Sequence, residues 1–531
     1  MKKGISVLLA AAVTIGVGSM GLLDREIQRA DAALATETPA EIKVVIDDEA
    51  YRAENRQWQG IPGVEVTENG RIWACYFTGG PSEPNGANYV AYGFSDDGGE
   101  TWYDSYFIAD LAGDELRTYD PNIWVDPFGR LWCTWCQARG NYSDLKTWAV
   151  VLDDPDAPAE ELASQIEAAK PRFLADGVKL NKPIVLANGD WMFFTAATSP
   201  TAITVWASTD NGATWQVRSS VSGNGLSVTE PMAVETKEGI VLYTRIEGKQ
   251  GGGIGMAVSQ DNGYTWSEYR SELEAPLRGP SSRFAITKLK SGNLLLINNA
   301  SETSRTALTA YLSADGGRTW SSSLVLDERS EVSYPDVAQD EEGYIYVIYD
   351  KGRYSEKEIR ITKFTEEDIV RGAFLSEGSR VRIAVSVLGG DKDIESVKTD
   401  FAKTVTAETG TPVSEIRSAL PREITVTDED GTEYTLEGMW SAASYDADTP
   451  GTYVLTFNAT ESLLRYGLFD AHNLLTVAVT LEDTFNEGLV YGLIGGGAGV
   501  VAVAAATAAV IAVKKKNQKK PEQQEAYRRE I

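Results

Sequence analysis

"SADGGRTW", residues 313–320, is one of four near-copies in the chain. The others are "SDDGGETW" (95–102), "STDNGATW" (208–215) and "SQDNGYTW" (259–266), and all four read Ser-x-Asp-x-Gly-x-Thr-Trp. The Asp suits a turn in which a side chain bonds its own backbone, the Gly can take positive φ, and the Trp has apolar bulk to bury between neighbouring units. Because its polar groups are consumed in holding the turn, the box marks structure and not chemistry.

A second signal shares this spacing. Gly70, Gly129, Gly189, Gly239, Gly292 and Gly343 follow one another at intervals of 59, 60, 50, 53 and 51 residues. Each lies between two short apolar, aromatic-rich runs, as in "VDPFGRLWCTWC" and "QDEEGYIYVIY", and each reads as a β-hairpin. Six such units predict an all-β chain with a six-bladed β-propeller over residues 41–372. The second unit carries an insertion at residues 153–173. "EIKVVID", residues 41–47, is expected to supply the closing outer strand. Residues 376–483 read as a different β-rich region, and the part at 419–459 resembles bacterial Ig-like sandwich modules.

The two ends carry membrane signals. Lys2 and Lys3 precede an apolar run, and small residues around 30–35 offer a cleavage site, so residues 1–35 read as a signal peptide. Residues 488–513 hold no charge over 26 positions and are followed by Lys514, Lys515 and Lys516. That pattern predicts one C-terminal transmembrane helix, a basic cytoplasmic tail at 514–531 and single-pass placement in the cell membrane, with the bulk of the chain outside.

Of the 531 residues, 43% are apolar, enough for an ample core. The 49 basic and 77 acidic residues give a net charge of −28, which repels polyanions and excludes nucleic acid as a partner. With one histidine, His472, there is no basis for a His-based triad or a multi-histidine metal site, and no metal or organic cofactor is implied. Cys75, Cys133 and Cys136 read as buried free thiols, because positions three apart on the apparent strand "CTWC" face opposite sides.

In a propeller the innermost strand of every blade begins beside the axis, so equivalent starting positions surround one pocket. Nine residues before each turn glycine stand Ile61, Asp120, Leu180, Glu230, Arg283 and Tyr334. Four of them are polar or ionisable where a purely structural strand would favour Val or Ile. Arg245, ending "VLYTRIEG", and Arg305, in "SETSRTALTAYLS", are expected at the same face, as is Glu83 in the loop "GGPSEPNGAN".

The boxes, the sixfold repeat and the chain order Glu230, Arg245, Arg305, Tyr334 (in "VSYPDV") resemble the sialidase (neuraminidase) family over about residues 41–369. The resemblance implies that Tyr334 is a nucleophile and Glu230 its partner. It also implies that Arg245 and Arg305 are two of three arginines holding the carboxylate of sialic acid, and that an acid protonates the leaving oxygen. A neutral phenol suits a substrate whose carboxylate would repel a carboxylate nucleophile, and sialidases are a recognised exception to paired-carboxylate glycoside hydrolysis. The planar fork of Arg matches a carboxylate.

This chain departs from the family pattern in two places. Where the first clamp arginine would precede "IP", "QGIPGV" has Gly60, and Arg56 is expected to reach in instead. No Asp matches the acid, and Glu83 is the expected substitute. Arg117, Asp120, Arg283 and Arg353 are expected to shape the pocket for an acidic sugar. The resulting expectation is a retaining exo-sialidase-like glycoside hydrolase acting on sialylated or other acidic glycans. A glycosidase or lyase for another acidic sugar and a non-catalytic glycan-binding propeller remain open alternatives.

Overall fold

The computed structural model describes residues 38–482, apart from residue 47 and the segments 112–115, 141–142, 198–200, 249–252, 389–391, 443–444, 460–462, 464–467 and 471. Strands dominate it. Six separate antiparallel sheets follow one another along the chain, and each is laid down strand beside strand. The first contains Gln59–Val66, Ile72–Thr78, Tyr89–Ser95 and Tyr103–Asp110, with Glu41–Val44 added at its outer edge. The second contains Leu116–Val125, Leu131–Arg139, Ser143–Leu152 and Arg172–Asp176, the inserted segment before its last strand folding into the helix Ala159–Ala168. The third runs from Ile184–Val185 to Gln216–Ser222. The fourth contains Val228–Thr236, Gly239–Ile246 and Ile254–Ser259. The fifth runs from Ala285–Lys288 to Ser322–Ser330. The sixth contains Val332–Gln339, Ile345–Lys351, Glu358–Phe364 and Arg380–Val387.

Two of these edges differ from the sequence reading. Glu41–Val44 pairs with Tyr103–Asp110 as a fifth strand of the first sheet. The sixth sheet takes its outer strand from Arg380–Val387, past residue 372. That strand follows a capped helix, Glu366–Arg371, and no box precedes it, so the repeat gives no sign of it.

The turn glycines act as read, with Gly70, Gly129, Gly189, Gly239, Gly292 and Gly343 all at positive φ. Each box is closed by its own side chains. In the box at 208–215, Ser208 Oγ donates to Asp210 Oδ1 at 2.7 Å, Thr214 N–H donates to Asp210 Oδ1 at 2.8 Å, and Thr214 Oγ1 donates to Asp210 Oδ2 at 2.6 Å. These bonds hold the Asp210 carboxyl down at about 2. The box tryptophan packs at the seam with the preceding unit: Trp215 lies against Phe193 of its own sheet, at 4.5 Å between ring centres, and against Trp132 of the second sheet at 6.4 Å.

The first strand of the sixth sheet packs against that of the first, and side chains tie the two ends of the series together. Ile61 N–H donates to Asp350 Oδ2 at 2.9 Å and Val64 N–H donates to Asp336 Oδ2 at 3.1 Å. Between the first strands lies a buried polar cluster. Lys182 Nζ donates to the carbonyls of Val64 (2.6 Å) and Val337 (2.7 Å) and pairs with Glu65 (3.1 Å) and Asp336 (3.7 Å).

Beyond residue 391, seven strands form one mixed sheet with its own apolar core around Trp440, Leu455, Phe457 and Val477. Its edge strand Thr404–Glu408 pairs in parallel with Thr476–Glu482. Cys75, Cys133 and Cys136 are free and buried.

The expected single-pass membrane placement is corrected here. Among the described residues no helix is long and apolar enough to cross a membrane. The segment 488–513 that carried the expectation, the tail at 514–531 and the leader at 1–35 lie outside the described residues.

Candidate active site

The first strand of four sheets is broken by the same device. Ile61, Asp120, Glu230 and Tyr334 all take positive φ, between 46° and 55°, and each is followed by proline. At each of these points the pairing with the second strand shifts register. A bulge leaves one backbone N–H without a ladder partner, and proline has none to leave, so the dipeptide fits where a regular strand would reject it. The bulge re-aims the side chain of the left-handed residue, and three of the four carry a functional group.

Two of these groups meet. Tyr334 Oη donates to Glu230 Oε1 at 2.7 Å, and Arg245 Nη1 donates both to Glu230 Oε1 at 2.8 Å and to Tyr334 Oη at 2.7 Å. Arg245 also pairs with Glu247 at 3.2 Å. Burial, and then the charge of Glu230, push the Tyr334 hydroxyl well above the ordinary tyrosine value, against the opposing pull of Arg245, Arg353 and Arg305. Burial works against the charge of Arg245, but Glu230, Tyr334 and Glu247 outweigh it and keep the guanidinium protonated. The phenol is thus held as a hydroxyl whose proton points at a carboxylate.

Tyr334 forms one wall of a cavity of about 440 Å³ that is also lined by Glu83, Arg305, Ser333, Arg353 and Tyr354. The guanidinium carbon of Arg353 lies 4.0 Å from the centre of the Tyr334 ring and that of Arg305 5.2 Å. Arg353 Nη1 donates to Glu83 Oε2 at 3.1 Å. Two cations near the ring of a phenol, with a third at its oxygen, make a place where a small anion is favoured.

Asp120 enters from the second sheet. Burial and the charge of Glu83 push its carboxyl up to about 7, Glu230 adding to the rise and Arg117 and Arg353 opposing it. The sign of the consequence follows from linkage. Between about pH 4 and 7 the folded chain holds a proton that the unfolded chain has released, so stability falls as pH rises through that window. Asp120→Asn keeps the shape, tolerates the left-handed backbone and removes the ionisation. Its thermal midpoint is expected above wild type near pH 8 and equal to it below about pH 4. A midpoint no higher than wild type near pH 8 would contradict this environment.

Three other arginines are placed elsewhere. Arg56, expected to replace the missing clamp residue, is turned away: its guanidinium donates to Asp104 at 2.9 and 3.1 Å, to Tyr76 Oη at 3.0 Å and to the carbonyl of Tyr51. The two short 3-10 turns before it, Glu49–Tyr51 and Ala53–Asn55, deliver the side chain to the outer side of the first sheet. Arg283, expected in the pocket, sits in the buried polar cluster between the first strands, where it donates to Asn181 Oδ1 (2.7 and 2.9 Å) and to the carbonyl of Pro62 (3.0 Å) and pairs with Asp336 (3.4 Å). Its position just before the strand Ala285–Lys288 has no Xaa-Pro bulge, and the side chain joins the polar cluster instead of the cavity. Arg117 is buried with its guanidinium 4.3 Å from the Tyr119 ring, close enough to act on Asp120 by its charge.

Sequence reasoning missed Asp350, which holds Arg353 through Nε at 2.8 Å and also accepts from Ser333 Oγ at 2.6 Å. It is an acid within an apolar run, "YIYVIYD", and a buried charge in such a run is a usable signal. The recurring Xaa-Pro pair is a second signal that was available.

The BNR repeat-like domain profile matches residues 70–347. A sialidase of Bacteroides fragilis (strain YCH46) is 24% identical over 396 residues, which cover 66% of this chain and 69% of that protein. A sialidase of Micromonospora viridifaciens is 25% identical over 379 residues, covering 62% of this chain but only 56% of its own length. Among solved structures, Hadza microbial sialidase Hz136 superposes with a TM-score of 0.47 at 20% identity, over 60% of this chain and 67% of that one. With the profile spanning more than half of its length, the chain belongs to the sialidase/BNR-repeat family.

Proposed function

We propose that this protein is a glycoside hydrolase of sialidase type, which releases a terminal sialic acid or related acidic sugar with retention of configuration. In this reading the six sheets are the six blades of a propeller, and the strand-rich region after residue 391 is an Ig-like module serving as a spacer. The observation that carries the proposal is the Tyr334 hydroxyl shared between Glu230 and Arg245 at 2.7 Å each, on the wall of a cavity with further arginines.

In the first step Tyr334 Oη attacks the anomeric carbon while its proton passes to Glu230, so the nucleophile is formed only as it reacts. The bond to the leaving oxygen breaks as Glu83, the proposed acid, delivers a proton to it. In the second step water attacks the same carbon, giving a proton to the Glu83 carboxylate, and Tyr334 leaves with the proton held by Glu230. Arg305 and Arg245 fix the carboxylate of the sugar beside the reacting carbon.

Retention is the test. With the full chain and a 4-methylumbelliferyl α-sialoside, proton NMR is expected to show the α anomer of the free sugar first, followed by mutarotation. No release of sugar, or first appearance of the β anomer, would count against the proposal.

A further inference from the structure

Resting on the sialidase reading, the missing arginine at position 60 has a counterpart in the geometry. A Cβ built on Gly60 would lie 2.9 Å from Arg353 Nε, 3.0 Å from its Cδ and 3.3 Å from its Cγ. A side chain at 60 and the observed position of Arg353 therefore exclude one another. The space above Gly60 is filled by the stem and Nε of an arginine that arrives from the other end of the series of sheets.

We propose that Arg353 supplies the third guanidinium of the anion clamp, in the space left by Gly60, with Glu83 as a resting counter-ion that the carboxylate of the sugar displaces. One edge of Arg353 is fixed. Its Nε and Nη2 both lie 2.8 Å from Asp350 Oδ2, and Asp350 is fully buried and held in turn by Ile61 N–H and Ser333 Oγ. The other edge, Nη1, meets Glu83 Oε2 at 3.1 Å, and Glu83 sits on the loop between the second and third strands of the first sheet, a mobile kind of element compared with a buried strand. Asp350 is thus the positioning residue and Glu83 the exchangeable partner. The guanidinium stands nearer the Tyr334 ring than Arg305 does, at 4.0 against 5.2 Å, and both line the same cavity as Tyr334, so an anion held by the two would lie beside the nucleophile.

The exchange has a chemical consequence. An incoming carboxylate takes the place of another carboxylate, so the clamp gains one anion and releases one, and no uncompensated charge is buried. The released Glu83 is then next to the substrate.

The test uses the full chain, calorimetric binding of 2-deoxy-2,3-didehydro-sialic acid and of its methyl ester, and steady-state kinetics on a sialoside. Arg353→Ala is expected to weaken the free acid about ten- to a hundredfold and the neutral ester little. Because Arg353→Ala leaves the buried Asp350 without its cation, Gly60→Ala is the second variant. It keeps every charge, forces Arg353 to move, and is expected to shift binding of the acid in the same direction. Glu83→Gln is expected to tighten the free acid, since the competitor is gone, while slowing turnover. Unchanged acid binding in both Arg353→Ala and Gly60→Ala, equal losses for acid and ester, or weaker acid binding by Glu83→Gln would each overturn the inference with the sialidase reading intact. Wild type that binds neither ligand and cleaves no sialoside would overturn that reading, and this inference with it.

Discussion

Tyr334→Phe is expected to lower kcat on an α-sialoside by about a thousandfold or more, a rise in barrier of about 4 kcal/mol, with the fold intact. The substitution keeps the ring beneath Arg353 and Arg305 and removes one oxygen. Glu230 and Arg245, which already pair at 2.8 Å, stay paired without it. The structural cost is that of one hydroxyl, about 1 kcal/mol. The chemical cost is the loss of the covalent route, and the carboxylates nearby are poor replacements because an anionic substrate repels them. The decisive comparison is kcat against the thermal midpoint in one preparation. Turnover within tenfold of wild type by a folded Tyr334→Phe protein would remove Tyr334 as nucleophile.

The pKa of the phenol sharpens this prediction. Burial and Glu230 hold it well above the ordinary tyrosine value, so a free phenolate is not available at neutral pH and, in the proposed mechanism, transfer to Glu230 accompanies attack. Glu230→Gln keeps the size of the side chain and takes away the acceptor. It belongs with Tyr334→Phe as a variant that folds and turns over slowly.

The second large effect concerns stability. Asp336→Ala is expected to destabilise the protein by about 3–5 kcal/mol, the typical result of removing one partner from a buried ion pair. Asp336 accepts Val64 N–H at 3.1 Å from the first sheet and pairs with Arg283 of the fifth at 3.4 Å and with Lys182 at 3.7 Å. The Arg283 side chain has no exposed surface, so its charge cannot turn to water once Asp336 is gone. Asn181 Oδ1 and the Pro62 carbonyl still solvate it, which keeps the effect within this range. The urea midpoint measures it, with Asp336→Asn as the milder control. An Asp336→Ala midpoint equal to wild type would show that the cluster contributes packing alone.

The sheets were legible because their signals are local. A turn glycine at positive φ and a Ser-x-Asp-x-Gly-x-Thr-Trp box each close within eight residues, so the sequence carries the whole of their geometry. Glu230 and Tyr334 could be singled out because equivalent strand positions share an environment, and the strands bring the two side chains into hydrogen-bond contact. The same counting misplaced Arg283, whose strand lacks the Xaa-Pro bulge and whose side chain goes to the buried polar cluster. Arg56 failed for a related reason: nearness in sequence to Gly60 says nothing about direction, and the turns before it point it toward Asp104. The relation between Gly60 and Arg353 was out of reach, since it joins residues from the two ends of the series of sheets. The outer strand Arg380–Val387 was hidden because the sixth unit lacks the box that precedes the fourth strand in the first, third and fifth sheets.

The left-handed residues ahead of proline bear on any attempt to engineer this protein. Asp120, Glu230 and Tyr334 hold a backbone shape that glycine would adopt more readily, at a cost of about 1–3 kcal/mol each. Glycine would relieve that strain but strip the side chains, leaving Arg245 without the Glu230 carboxylate at one codon and a void beneath Arg353 at another, so selection for heat tolerance alone has no reason to erase Glu230 or Tyr334.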